Sequence, residues 1–200
     1  MPNPSTPAHN VHCPLCEYAK PQVFHRDKKR QYLRCEQCEL IFVPSDQLPS
    51  SDEEKQLYDY HTNSPDDLGY RTFLNRLIEP LNQIISANSH GLDFGCGPGP
   101  TVSVMLEEQG HRVDNYDPIY APSLKWQEQH YDFISCTEVI EHIHWPAQTL
   151  DDLWRSLLAN GVFGIMTKRA STLVHFSQWH YKNDPTHVRF YTDNSFRYLA

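Results

Sequence analysis

The sequence predicts an α/β chain: a doubly wound, mostly parallel sheet of the Rossmann-like kind, preceded by a small cysteine-bearing module. Three observations predict it. The stretch "GLDFGCGPGP", Gly91 to Pro100, followed by "TVSVMLEEQG", reads as strand, tight glycine turn and helix. That is the first unit of a doubly wound sheet, whose ligand crevice lies at the carboxyl ends of the strands. Apolar stripes at helical spacing stand before and after it, and two C-x2-C pairs fall within the first 44 residues.

The cysteine pairs are Cys13-Pro-Leu-Cys16 and Cys35-Glu-Gln-Cys38, separated by eighteen residues. Each C-x2-C turn aims two thiolates at one point, and two such knuckles complete the tetrahedron a structural zinc ion prefers. Cys13, Cys16, Cys35 and Cys38 are therefore the expected ligands of a zinc ribbon over residues 1–44. With all four positions taken by sulfur, no open site is left for a bound water, and the ion is structural. His12 and His25 lie nearby, but four cysteines need neither. Disulfides are the alternative. The start "MPNPSTPAHN" lacks the charged-then-apolar order of a secretory signal, which argues against them and for a cytoplasmic setting. Zinc stands in for the core that about 40 residues cannot supply.

Charge is divided along the chain. The net −8 separates into +2 over residues 1–44 and −10 over the remainder. An acidic body argues against broad, sequence-blind nucleic-acid binding. The cluster "RDKKR", Arg26 to Arg30, reads either as a solvated hairpin tip or as a local basic contact. No run reaches the roughly 18 apolar residues of a membrane span, so no membrane partner is expected.

From Pro44 to Glu54 the chain reads "PSDQLPSSDEE", and residues 45–65 form an expected linker and helix start. "LGYRTFLNRLIEPLNQII" then places Phe73, Leu74, Leu77, Ile78, Leu81, Ile84 and Ile85 at helical spacing, which predicts an amphipathic helix bent near Pro80. Tyr70 and Arg71 precede the stripe, as helix-end residues or as residues reaching a ligand.

In the glycine loop, a dinucleotide register G-x-G-x-x-G starting at Gly95 puts Pro100 where the third glycine belongs. What stands instead is Asp93-x-Gly95-x-Gly97-x-Gly99, which resembles motif I of class I S-adenosylmethionine-dependent methyltransferases. The resemblance covers roughly residues 66–200. "HRVDNYDP" is similar to the family's second strand, "YDFISCTEVIEH" to its fourth strand and turn, and "GVFGIMTKR" to its fifth. It implies an S-adenosylmethionine site formed by Asp93, Gly95, Cys96, Gly97, Gly99, Asp117 and Thr137, with Asp117 on the ribose hydroxyls. The chemistry agrees: a sulfonium, an ammonium and a diol, with no phosphate, suit carboxylates and close backbone amides. Only thirteen residues separate Asp117 from Tyr131, which predicts an abbreviated sheet edge there. The chain stops at Ala200 without the family's final two strands, so a sheet truncated at that edge, or covered otherwise, is expected.

"CTEVIEHIHW" holds Glu138, Glu141 and His142 at i, i+3 and i+4, one face if helical. "EVIEH" resembles the E-x-x-E-H of ubiquinone-pathway O-methyltransferases and of small-RNA 2'-O-methyltransferases. That resemblance implies magnesium or a similar ion on Glu138, Glu141, His142 and His187, where it lowers the pKa of an acceptor hydroxyl. In related methyltransferases the same residues face the cofactor or cap the turn without metal, and both readings stand. "WPAQTLDDLWRSLLANG" predicts a helix from Pro146 with Leu150, Leu153, Trp154, Leu157 and Leu158 on one face, stopped at Asn160-Gly161. "HFSQWHYKNDPTHVRFYT" reads either as a substrate lid or as packing around His175, Trp179 and His180.

The resemblance thus implies a methyltransferase acting on a small-molecule acceptor, most simply a hydroxyl oxygen. RNA methylation with the ribbon gripping the strand is the second reading, and a non-catalytic binding module the third.

Overall fold

The structure is a computed structural model that describes residues 11–60 and 63–200; the first ten residues of the expected ribbon and residues 61–62 of the expected linker lie outside them. In chain order the elements are β1 (Gln22–Arg26), β2 (Gln31–Arg34), β3 (Ile41–Phe42), α1 (Ser51–Tyr58), α2 (Leu68–Asn82), β4 (His90–Phe94) and α3 (Thr101–Glu107). There follow β5 (Arg112–Tyr116), β6 (Tyr131–Thr137), α4 (Pro146–Arg155), β7 (Leu157–Met166), α5 (Leu173–Gln178), β8 (Arg189–Phe190) and α6 (Asp193–Leu199).

Two compact units result. The sheet unit comprises Pro49–Ile143 and Gln148–Thr167, and the cysteine unit Met1–Leu48, His144–Ala147 and Lys168–Ala200. Residues 168–200, expected within the methyltransferase domain, are therefore grouped by packing with the cysteines.

In the sheet unit the strand order is β5-β4-β6-β7, and all three pairings are parallel. The predicted α/β class with a parallel sheet is observed. No strand intervenes between β5 and β6, only a short 3-10 turn at Leu124–Glu128, as the thirteen-residue gap predicts. Asp67 caps α2 by accepting from the N–H groups of Gly69 and Tyr70, and Ser50 with Glu53 makes a capping box for α1, which satisfies otherwise orphaned donors. Leu74, Leu77, Ile78 and Leu81 of α2 are buried, and the core there adds Val102, Met105, Leu106, Val113 and Phe133. Pro80 sits inside α2 without ending it. Ile84, expected in the buried stripe, is 67% exposed because the helix has stopped at Asn82.

A second correction concerns α4. The helix ends at Arg155, and Leu157 and Leu158 open β7 instead of extending its face. Leu150 and Leu153 are buried as expected, whereas Trp154 is exposed. The β6–β7 register jumps from Tyr131↔Leu157 to Phe133↔Val162. The intervening residues make a bulge in which Asn160 has a left-handed φ of 67°, so the Asn160-Gly161 signal marks an irregularity inside a strand.

In the cysteine unit the order is β1-β2-β3-β8, all antiparallel. Tyr32, Ile41 and Val43 pack with Ala170, Phe176, Trp179, Tyr181, Val188 and Phe190. Of the segment read as lid or packing, Phe176, Trp179 and Tyr181 are core, while His175 and His180 are exposed.

Candidate active site

The carboxyl ends of β4, β5 and β6 bring the expected cofactor residues together. Asp93, next to last in β4, is 3% exposed and accepts a 2.8 Å hydrogen bond at Oδ1 from Ser135 Oγ of β6. Burial pushes its carboxyl up to about 7; the Ser135 bond opposes this and the charge of Asp117 adds to it. A carboxyl this poorly solvated is stabilised by a cation placed beside it.

The glycine turn follows. The N–H groups of Gly95 and Cys96 donate to the carbonyl oxygen of Tyr116 at 2.7 and 3.1 Å, which ties the turn to the end of β5. Gly95 has φ +80°, and a Cβ there would lie 2.6 Å from Cγ1 of Val139. At Gly99 a Cβ would be 2.9 Å from the carbonyl carbon of Asn63. Gly97, at φ +63°, would meet nothing within 4 Å. Two of the glycines are thus required by packing, and the third faces open space. Burial, then Asp93 and Asp117, push the Cys96 thiol up to about 12, so it stays neutral.

Asp117 helps to shape this loop. Its Oδ2 accepts from Gly97 N–H at 3.1 Å, and its Oδ1 from the N–H groups of Ile119 and Tyr120 at 2.8 and 3.0 Å. A carboxylate has about four lone-pair positions, so one direction on Oδ2 is left for a diol. Thr137 ends β6, and its Oγ1 is buried without a hydrogen-bond partner among the described residues. Leaving a buried hydroxyl so costs about 1–3 kcal/mol, which a ligand group at this strand end would relieve.

The turn after β6 is not the helical face that the i, i+3, i+4 spacing suggested. Glu138 has a left-handed φ of 52° and donates its N–H to the carbonyl of Met166 at 2.7 Å; only Ile140–His142 form a 3-10 turn. Glu141 is fully buried and accepts from Thr167 Oγ1 at 3.0 Å. His142 Nδ1 lies 3.1 Å from Tyr58 Oη, with the rings edge to face at 5.5 Å. The residues of the expected magnesium set divide between the units: Glu138, Glu141 and His142 here, His187 in the cysteine unit, where its Nδ1 meets the Tyr181 carbonyl at 2.7 Å.

Sequence reasoning missed four residues of the expected linker. Tyr58 reaches His142. Asp59 accepts from Tyr120 Oη at 2.7 Å, and Lys55 lies over the Tyr120 ring at 5.7 Å. Asn63 packs on Gly99 and donates to Tyr70 Oη at 3.1 Å. Burial, then Asp93 and Glu138, push the Tyr70 hydroxyl up, whereas Arg71 pairs with Glu108. The aromatic pair in "QLYDY" was the only available signal for Tyr58.

Residues 67–200 match the family model of a methyltransferase domain. The chain belongs to that methyltransferase family. Among solved structures, the chain is similar to the YcgJ protein from Bacillus subtilis, at 18% identity over 62% of this chain and 64% of that one, TM-score 0.45. It is also similar to the [4+2]-cyclase SpnF, at 14% identity over 76% and 72%, TM-score 0.47. A third is coclaurine N-methyltransferase bound to N-methylheliamine and SAH, at 13% identity over 78% and 50%, TM-score 0.42. The chain thus spans 64% of the first of these and half of the last. No curated protein matches it.

The chain also carries the cysteine cluster. The Sγ atoms of Cys13, Cys16, Cys35 and Cys38 all lie within 4.8 Å of one another, with Cys13–Cys38 at 3.5 Å and Cys16–Cys35 at 3.3 Å. Tetrahedral zinc with bonds of about 2.3 Å separates its sulfurs by about 3.8 Å. The two knuckles share one geometry: the residue after each second cysteine or its neighbour, Glu17 and Glu39, is left-handed at φ 61° and 59°. Gln37 and Cys38 turn their N–H groups onto Cys35 Sγ at 3.3 and 3.5 Å. The hydrogen bond from Cys38 pulls the Cys13 thiol down, and the same bond pushes Cys38 up.

Proposed function

We propose that the protein is an S-adenosylmethionine-dependent methyltransferase that methylates a hydroxyl oxygen of a small molecule. The observation that carries the cofactor assignment is the juxtaposition at three strand ends: Asp93 buried with its carboxyl raised, Gly97 left-handed and open, Asp117 beside it, and Thr137 Oγ1 lacking a partner. A bound cofactor would supply an electrophilic methyl group on a positively charged sulfur. Asp93 offers charge to its ammonium, Asp117 an acceptor to its ribose, and Gly97 the space for close approach.

His142 is the group proposed to take the acceptor's proton. Tyr58 Oη lies 3.1 Å from its Nδ1 and orients the ring, and Nε2 is the nitrogen assigned to that task. Glu141, bonded to Thr167, holds the turn in place. Hydroxyl acceptors need such a base, since a neutral hydroxyl is a poor nucleophile.

We place RNA methylation second because the basic cluster is partly engaged within the cysteine unit. Arg30 of the "RDKKR" cluster donates to the carbonyls of Lys182, Asp184 and Pro185, and Asp27 takes Lys182 at 2.9 Å. The cluster is partly consumed by internal contacts. We further assign Cys13, Cys16, Cys35 and Cys38 as ligands of one structural zinc ion, on the strength of the four converging sulfurs.

Calorimetry of the full chain with S-adenosylmethionine tests the cofactor assignment. Binding by the wild type and its loss in Asp117→Ala are expected; an Asp117→Ala chain that is folded and binds as tightly as wild type refutes it. A screen of hydroxyl against amine acceptors tests the second part, and turnover confined to amines would overturn it.

A further inference from the structure

The fourth strand of the cysteine unit's sheet comes from far along the chain. β8 pairs with β3 through Ile41↔Phe190 and Phe42↔Arg189, so the sheet begun by the cysteine knuckles is completed by residues almost 150 positions later. Closing so long a connection costs entropy that local interactions must offset. A two-residue strand cannot do so alone. The core joining Tyr32, Ile41 and Val43 to Phe176, Trp179, Val188 and Phe190 contributes, as do the Val43 N–H to Val188 carbonyl bond at 3.0 Å and the Arg30 and Lys182 contacts.

Arg189 adds an unusual element. It is 2% exposed, and its guanidinium donates to the carbonyl oxygens of Val43, Val188 and His144. Its Nε has no partner, and among the described residues no carboxylate lies within ion-pair distance of it. A buried cation without a counter-ion is costly. Burial lowers its pKa to about 10, and the three carbonyl oxygens supply the partial negative charge around it. The strand it is tied to leaves the second knuckle directly: β3 begins three residues after Cys38, and the Cys35 N–H donates to the Leu40 carbonyl at 2.9 Å.

We propose that zinc occupancy of the four-cysteine site governs the docking of residues 168–200: the metal-loaded knuckles shape β3, the edge on which β8 pairs and to which Arg189 is tied, and without the ion the segment comes away. The inference rests on the zinc assignment above. Because the matched methyltransferase domain runs to residue 200, the metal state of the N-terminal module would then be felt by a segment of the enzyme itself. The fold so contains a zinc-dependent, thiol-sensitive switch.

Hydrogen exchange by mass spectrometry on the full-length protein, kept reduced, tests this alongside a zinc assay. One zinc per chain is expected. Stripping it with a chelator should raise the exchange of the Ala170 and Val43 amides and of β8 at least 100-fold, leave β4 and β6 protected, and be reversed by adding zinc. Arg189→Met should keep its zinc while exchange across 168–200 rises at least tenfold. One zinc per chain with unchanged exchange after stripping overturns the switch and leaves the zinc assignment standing. Failure of the wild type to bind zinc overturns both. An Arg189→Met chain with wild-type exchange refutes the role given to that residue, and if this variant does not fold, the stripped wild type still decides.

Discussion

Alanine at Gly95 and alanine at Gly97 separate the two tasks of the glycine loop. Both positions are left-handed, at φ +80° and +63°, so either alanine incurs about 1–2 kcal/mol of backbone strain. The surroundings then divide them. A Cβ at Gly95 lies 2.6 Å from Val139 Cγ1 and 3.0 Å from its Cβ, well inside the roughly 3.5–4.0 Å of ordinary carbon contact. Val139 is β-branched and cannot rotate both methyls away, so overpacking adds about 1–3 kcal/mol. The sum is about 2–5 kcal/mol, or a melting temperature lower by about 4–20 °C for a chain of this size. Gly97→Ala meets nothing within 4 Å and keeps only the backbone cost, about 2–8 °C. Its methyl group instead occupies the space reserved for the cofactor. The assay is thermal unfolding paired with S-adenosylmethionine calorimetry. Gly95→Ala is expected to lose stability, and Gly97→Ala to remain folded and lose at least tenfold in affinity. The double variant Gly95→Ala, Val139→Ala should recover part of the stability, since the two sites share one contact. Equal destabilisation by both single alanines would refute the packing argument, and unchanged affinity in Gly97→Ala would refute the placement of the cofactor.

Other consequences follow from the same geometry. Burial lifts Asp93 to about 7 from an unperturbed value near 3.9, so the native state keeps a proton that the unfolded chain releases. The resulting stability is fully present below about pH 4 and lost as pH rises through about 7, a change of roughly 4 kcal/mol. Denaturation midpoints at pH 5 and pH 8 should show this slope in wild type and not in Asp93→Asn; an equal slope in both would contradict it. The cationic cofactor favours the ionised form, so its binding at pH 6 should release protons, measurable by calorimetry in buffers of different ionisation enthalpy. Tyr58→Phe should reduce turnover about tenfold, the worth of one hydrogen bond of about 1.4 kcal/mol, with cofactor affinity unchanged and the imidazole nitrogen-15 shifts of His142 altered; unaltered shifts would exclude the Tyr58 contact. Asp117→Asn should weaken cofactor binding at least tenfold, because its amide N–H faces the Gly97 N–H; wild-type affinity in this variant would show that Asp117 has another role.

What could be read in advance follows from how far apart the cooperating residues lie. The glycine turn was legible because Asp93, Gly95, Gly97 and Gly99 fall within seven residues, and left-handed backbone at Gly95 and Gly97 is a local demand that only a few residue types meet. The converging cysteines were legible for the same reason. α4 misled because Leu157 and Leu158 continue its apolar spacing, yet the pairing of Tyr131 with Leu157 draws them into β7, a tertiary demand that outweighs local periodicity. Tyr58 and Asn63 gave little signal, since a residue that serves a site 84 or 36 positions away leaves no pattern beside itself.

The C-terminal segment is the clearest case of a structure hidden from local reading. Arg189 and Phe190 make a strand of two residues, too short for any alternation to register, and "DPTHVRFYT" combines charge and aromatics in a way that suits a loop. What fixes it is the partner: the buried edge of β3 and the carbonyls of Val43 and His144. β3 and Val43 are supplied by the N-terminal module, whose own order depends on a metal in the reading given above. The strand is therefore conditional in a physical sense. Its sequence does not specify extended structure by itself, and on that reading the zinc-loaded knuckles stabilise it together with the shared core, which is why a chelator, rather than a mutation in the segment, is the sharper probe of how it is held.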